Sequence, residues 1–173
     1  MGVKQPVHSN TIAGWREWVS LPQSDVPWLK AKLDTGARTS ALHAFDIEEF
    51  DRDGDAWVRF GIHPWQRSAD DTVIVEMPVH DRRLIRSSSG HTQQRYVVLM
   101  AVKMLGREFT AEVTLTNRDQ MGFRMLIGRQ ALRHGFVVDS GRSFLGGRAP
   151  KEVRRRNRGR PAEGADTDDA SAA

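Results

Sequence analysis

Between residues 18 and 145 the apolar positions mostly recur with period two or fall in short runs bounded by turn formers, which is how half-buried strands read. Strands are predicted over 18–22 and 28–33, on either side of Gln23-Ser24-Asp25-Val26-Pro27, which has the make-up of a hairpin connection. Further strands are predicted over 41–50, 56–62, 73–79, 82–87, 95–104, 108–116, 124–127 and 136–139. Asp51-Arg52-Asp53-Gly54-Asp55 and Leu105-Gly106-Arg107 are natural turns between them. Only 128–135 reads as helical, with Gln130-Ala131-Leu132-Arg133-His134 stopped by Gly135. Many short strands and one short helix near the C-terminal end predict a mostly β domain whose sheet closes or folds over on itself.

Length and charge divide the chain. Its 173 residues suffice for one domain with a sizeable core. No apolar run approaches the roughly 20 residues that cross a bilayer, and the first ten residues lack the apolar stretch of a signal peptide, so the expectation is a cytoplasmic protein without a membrane partner. The absence of cysteine excludes disulfides, a thiol nucleophile and thiolate metal sites. The net charge of +4 is unevenly spread: residues 148–173 carry seven Lys/Arg, then an acidic run of Glu163, Asp166, Asp168 and Asp169, with a single Val and no aromatic residue. Such a stretch buries too little to offset its ordering entropy. The expected organisation is an N-terminal extension over 1–14, one domain over 15–147, and a disordered basic-then-acidic tail over 148–173. The tail's functional reading is an arm touching RNA, the ribosome or an acidic partner, although it lacks the interleaved aromatics that stack bases.

Candidate chemistry centres on Leu33-Asp34-Thr35-Gly36-Ala37-Arg38-Thr39-Ser40, directly after an alternating strand. An acidic residue at a strand end, followed by a small hydroxyl residue and glycine, puts a carboxylate on a tight loop that another backbone can approach closely. About 90 residues later stands Met125-Leu126-Ile127-Gly128-Arg129-Gln130-Ala131-Leu132. In this order the two segments resemble the retropepsin-like aspartic peptidases, whose subunits carry Asp-Thr-Gly-Ala early and a hydrophobic-hydrophobic-Gly-Arg segment opening a short helix late. The stretch from Ala31 to Ala44 is similar to the signature of a bacterial branch of these proteins, long labelled putative ATP-dependent zinc proteases and often found beside or fused to an ATP-grasp ligase. The resemblance covers about residues 15–146.

It implies a closed β-barrel of the acid-protease type, with Asp34 catalytic, Thr35, Gly36 and Ala37 forming the active-site loop, and Ile127, Gly128 and Arg129 supporting it. Aspartic proteolysis needs two carboxylates about 3 Å apart sharing one proton. The resemblance supplies the second from a symmetric copy, so a homodimer acting on an extended peptide or protein is implied, with an ATP-grasp ligase as a possible partner. Phe136-Val137-Val138-Asp139-Ser140-Gly141 offers an internal rival, but too few residues follow Asp139 to build a second lobe. The candidate flap is the polar hairpin tip of Ser87, Ser88, Ser89 and Gly90. The interval between the two signatures exceeds that of compact viral enzymes, which implies an elaborated flap or an insertion near 62–71.

Two departures qualify the match. Arg38 and Thr39 stand where viral retropepsins carry the acidic partners of the later arginine, so Arg129 needs another partner. Neither a His-Glu-x-x-His motif nor a phosphate-binding Gly-x-x-x-x-Gly-Lys loop is present, and the six histidines lack short ligand spacing, so neither zinc, ATP nor any other cofactor is expected. His43 is the histidine nearest the Asp34 loop and reads as structural. The leading expectation is a homodimeric aspartic endopeptidase; the alternative is the same fold used as a non-catalytic peptide-binding module that recruits a partner.

Overall fold

A computed structural model describes residues 10–86, 90–117 and 122–160. The predicted alternation appears as β1 (Thr11–Gly14), β2 (Arg16–Leu21), β3 (Val26–Asp34), β4 (Ser40–Arg52), β5 (Asp55–Ile62), β6 (Val73–Pro78), β7 (Asp81–Arg86), β8 (Thr92–Met104), β9 (Arg107–Thr116), β10 (Met125–Gly128) and β11 (Phe136–Asp139). Two helices accompany them, α1 (Arg129–Leu132) and α2 (Lys151–Asn157). Two connections turn as their residues require. Asp53-Gly54 has φ of 54° and 88°, and Leu105-Gly106 has 51° and 74°, the paired positive values of a tight hairpin that follows strand twist.

The main sheet runs β10-β3-β2-β8-β9-β4-β5-β6, and β10 also pairs with β4. That second pairing closes β10, β3, β2, β8, β9 and β4 into a ring. Inside it lie the alternate residues Leu29, Ala31 and Leu33 of β3, Val98, Met100, Val102 and Met104 of β8, Phe109, Ala111, Val113 and Leu115 of β9, and Met125 and Ile127 of β10, all buried. Two strands serve two partners each. The first half of β4 pairs in parallel with β9 and the remainder runs antiparallel to β5, while β8 pairs with β9 through Val97–Met104 and with β7 through Thr92–Val97. The β7–β8 hairpin is thus an extension of a ring strand. The β5 and β6 strands, with residues 63–72 between them, lie in the interval between the two signatures, as does the β7–β8 hairpin. Among the described residues no helix is long and apolar enough to cross a membrane.

Three expectations change. Residues 11–14, assigned to an extension, form β1, which pairs in parallel with β11 in a separate two-stranded sheet. Arg107 ties this pair to the ring, donating to the Gly135 carbonyl at 2.9 Å and to Thr11 Oγ1 at 3.3 Å. The predicted helix is only one turn, Arg129–Leu132, because Gly135 at φ 107° redirects the chain into β11. Finally, residues 148–160, expected to be solvated, are docked. Asn157 is 3% exposed; its Oδ1 accepts from the Gln66 backbone N–H at 3.0 Å and its Nδ2 donates to Gln66 Oε1 at 2.9 Å. The Asn157 carbonyl also accepts from Arg67 N–H at 3.2 Å. Residues 161–173, the rest of the expected tail, lie outside the described residues, as do residues 1–9.

Glu17 joins the first turn to the chain's last long loop. It is 1% exposed, and its carboxylate accepts backbone N–H groups from Gly14 at 3.2 Å, Leu145 at 2.9 Å and Gly146 at 2.8 Å. Removing it orphans three donors in a dry site. Glu17→Ala is expected to cost about 3–5 kcal/mol in urea unfolding. Glu17→Gln should cost less, because its amide oxygen keeps part of the set while its NH2 faces a donor.

Candidate active site

Asp34 is the last residue of β3, where the ring strand ends and the chain turns toward β4. Its side chain is half-buried. Oδ1 accepts the N–H of Gly36 at 2.9 Å and that of Ala37 at 3.2 Å, folding the loop back over the carboxylate. Among the described residues no hydrogen bond reaches Oδ2, so one oxygen is anchored and the other is open to a reactant. Thr35 and Gly36 are exposed at the loop's apex. A Cβ on Gly36 would lie 3.2 Å from Asp34 Oδ1, so glycine keeps the approach to the carboxylate clear.

The late segment lies directly behind this loop. In the parallel β10–β3 register Ile127 faces Leu33 and Gly128 faces Asp34. Gly128 N–H donates to Ser40 Oγ at 3.1 Å, Arg129 N–H to the Ala37 carbonyl at 2.8 Å, and Gln130 N–H to the Arg38 carbonyl at 3.1 Å. The first N–H groups of α1, which have no partner inside the helix, thus hold the Asp34 loop. The structure brings Asp34, Thr35, Gly36 and Ala37 together with Ile127, Gly128 and Arg129. The Arg129 side chain is exposed and makes no ion pair among the described residues; what it gives the loop is its backbone N–H. Ser40, fully enclosed and bonded to Gly128, was not singled out from the sequence, although it closes the same segment.

Asp139 repeats part of this geometry elsewhere. Its Oδ1 accepts Gly141 N–H at 2.9 Å, but it ends β11, in the two-stranded sheet rather than the ring. Of the candidate flap, Ser87, Ser88 and Ser89 lie outside the described residues, while Gly90 sits at φ 85° before β8. Charged groups anchor the base of that hairpin. Arg83 Nη2 donates to Glu112 Oε2 at 3.0 Å, His80 Nε2 lies 3.2 Å from Glu112 Oε1, and Glu49 receives both Arg82 and the Tyr96 hydroxyl, the latter at 3.0 Å. The Arg83 hydrogen bond, reinforced by His80, holds the Glu112 carboxyl below the usual range. These anchors carry no motif; only strand pairing brings residues 80–83 beside 112. The same hairpin leaves Leu84 74% exposed.

His43 is buried on β4 and stacks on His63 at 5.5 Å, which stacks on Phe45 at 4.1 Å. Among the described residues no group of three or more His, Cys, Asp or Glu is placed to hold a metal ion.

A ring of strands, a carboxylate at the end of β3 and a glycine-led helix behind it define a retropepsin-like fold. The chain belongs to the RimB-like family: the family model described as retropepsin-like aspartic endopeptidase RimB matches residues 12–149. A protein of Shewanella pealeana named probable alpha-L-glutamate ligase is 45% identical over 143 residues, covering 82% of this chain but 31% of that protein. A Desulfotalea psychrophila protein of the same name is 40% identical over 141 residues, covering 82% of this chain and 30% of that one. The chain therefore spans about a third of the length of these relatives. A crystal structure of a Legionella pneumophila protein of unknown function superposes with a TM-score of 0.66 at 29% identity, covering 80% of this chain and 99% of the other.

The loop tolerates no side chain at its back. A Cβ on Gly128 would lie 2.6 Å from the carbonyl carbon and oxygen of Thr39 and 3.0 Å from the Ala37 oxygen, all backbone atoms that cannot swing aside. Gly128→Ala is expected to destabilise the fold by about 1–3 kcal/mol in urea unfolding and to raise amide exchange across residues 34–40. At the hairpin base, Glu112→Gln should raise exchange over 81–86 and 92–97 while changing global stability by less than about 1 kcal/mol, because the pairs are partly solvated.

Proposed function

We propose that the protein is an aspartic endopeptidase that works as a homodimer, with Asp34 of each copy forming the catalytic pair. The observation that carries this reading is the Asp34 loop: one oxygen anchored by two backbone N–H groups, the other open, and the whole loop held from behind by Gly128 and α1. Two such carboxylates brought together on a two-fold axis share one proton. The ionised member draws a proton from water as the water attacks the scissile carbonyl, and the protonated member donates to the carbonyl oxygen. On this reading Thr35, exposed at the loop apex, bonds across that axis, and Gly36 admits the substrate backbone.

The β1–β11 pair supports the dimer. Ile12 and Val137 are direct neighbours in its register and are 53% and 48% exposed, and each strand has one partner among the described residues, leaving outer edges for a second copy. The substrate is an extended peptide lying between the paired Asp34 loops and the β7–β8 hairpin. The relatives named probable alpha-L-glutamate ligase, in which the matching region occupies about a third of the protein, support a ligase as partner and glutamate-bearing peptides as the first substrates to try. The same relatives favour the second reading, a module that binds such peptides without cutting them. The docked residues 148–160 supply the basic surface for which an RNA or ribosome contact was the expectation.

Incubating a mixed peptide library, including glutamate-rich members, with wild type and Asp34→Asn, and sequencing the fragments by mass spectrometry, separates the two readings. Cleavage by wild type, reduced at least about 100-fold in Asp34→Asn, is the expected result; peptides bound but uncut by both proteins would establish the binding module. Light scattering should show a dimer for wild type and a folded monomer for Ile12→Asp combined with Val137→Asp.

A further inference from the structure

The outer face of β2 and β3 carries a second feature, unrelated to the Asp34 loop. Trp18 and Lys30 are register partners there, and both point away from the core that takes Val19, Leu29 and Ala31. Residues 144–158 cross this face and enclose a cleft of about 160 Å³. Five cations line it, Arg16, Lys30, Arg148, Arg154 and Arg158, and among the described residues no carboxylate does. Arg154 and Arg158 are four apart at the end of α2, hence on one side of the helix, and that helix is fastened by the buried Asn157.

Like charges gathered this closely repel unless something offsets them. Burial, and after it the neighbouring Arg16 and Arg158, depress the Lys30 ammonium below its ordinary value. Arg154 Nε is buried and has no hydrogen-bond partner among the described residues. The aromatic walls do not take a ligand ring: Trp18 and Phe144 stack on each other at 6.4 Å, and Arg16 and Lys30 already lie over Phe144 at 4.9 and 5.3 Å. What the cleft lacks is a compact group with several negative charges and several acceptor oxygens.

We propose that this cleft is a binding site for a phosphoryl anion, either free phosphate or a phosphate monoester. Guanidinium groups match phosphate oxygens in pairs, and a dianion offsets more of the charge than one carboxylate does. The Phe144 faces being taken by the protein's own cations, the ligand enters by its phosphoryl group and not by base stacking, which distinguishes the site from a single-strand RNA platform.

The test is calorimetric titration and thermal unfolding of the full chain with inorganic phosphate, glycerol 3-phosphate and glutarate, ionic strength being held constant with sodium chloride. Phosphate or its ester should bind and raise Tm, glutarate should bind at least tenfold more weakly, and Arg154→Gln and Arg158→Gln should each weaken phosphoryl binding at least tenfold. Tighter binding of the ester assigns an esterified group, and the reverse a free ion. Arg148→Gln, an exposed position before α2, repeats the test without touching that helix, and circular dichroism verifies the fold of each variant. Asp34→Asn should bind phosphate like wild type, which keeps this site separate from the peptidase reading. No binding by wild type, equal binding of glutarate, or phosphate affinity unchanged in all three arginine variants overturns the proposal.

Discussion

The four residues of β10 are the constraint on which the molecule depends. They lie between β3, in parallel, and β4, antiparallel, so the same short strand closes the ring and sets the distance between the two ends of the Asp34 loop. Met125 and Ile127 give β10 its apolar anchor inside the ring, each fully buried. Gly128 then has to be glycine, because the loop's carbonyls occupy the space where a Cβ would sit. Burial of two side chains thereby fixes the backbone of a polar loop, and the geometry of the Asp34 loop is a by-product of ring closure rather than of contacts made by the carboxylate itself.

Most of this was legible in the sequence because it rests on period and punctuation. The strands of the ring alternate cleanly, and Asp53-Gly54 and Leu105-Gly106 stand where the chain must reverse. What escaped detection is held by polar or distant partners. Thr11-Ile12-Ala13-Gly14 is too short to declare a strand, and its partner begins at Phe136. The α2 segment reads as solvated because it docks through an asparagine side chain and the backbone, with only Ala149 and Asn157 fully buried over 148–160, so no hydrophobic face announces it. The Asp34 loop was legible as a motif; its dependence on Ser40, and the role of Glu49 and Glu112 at the hairpin base, arise only from pairings between residues far apart in the chain.

Charge is sorted by location. At the base of the β7–β8 hairpin Arg83 pairs with Glu112 and Arg82 with Glu49, and these groups neutralise one another across strands. Over β2 and β3 the cations stand together without acids among the described residues. The first arrangement ties a hairpin to the ring; the second gathers the charge that the proposed phosphoryl anion would offset. The net charge of the chain, spread evenly, would have distinguished neither.

Asp34 and Asp139 show why the local motif is insufficient evidence of a site. Both end a strand in Asp-hydroxyl-Gly, and in both Oδ1 takes the glycine N–H at 2.9 Å. The difference is behind the turn. Asp34 has a further N–H from Ala37 and a loop whose carbonyls are capped by Arg129 and Gln130, whereas after Asp139 the chain continues to Arg142, whose carbonyl accepts Trp15 N–H and fastens the β1–β2 junction to the loop after β11. One turn is backed by a helix start and presents its carboxylate; the other serves the packing of the chain ends. The same three residue types present a held, open carboxylate only where the ring supplies donors to fix the loop around it, so the proposal of Asp34 as the catalytic residue rests on β10 and α1 as much as on the aspartate.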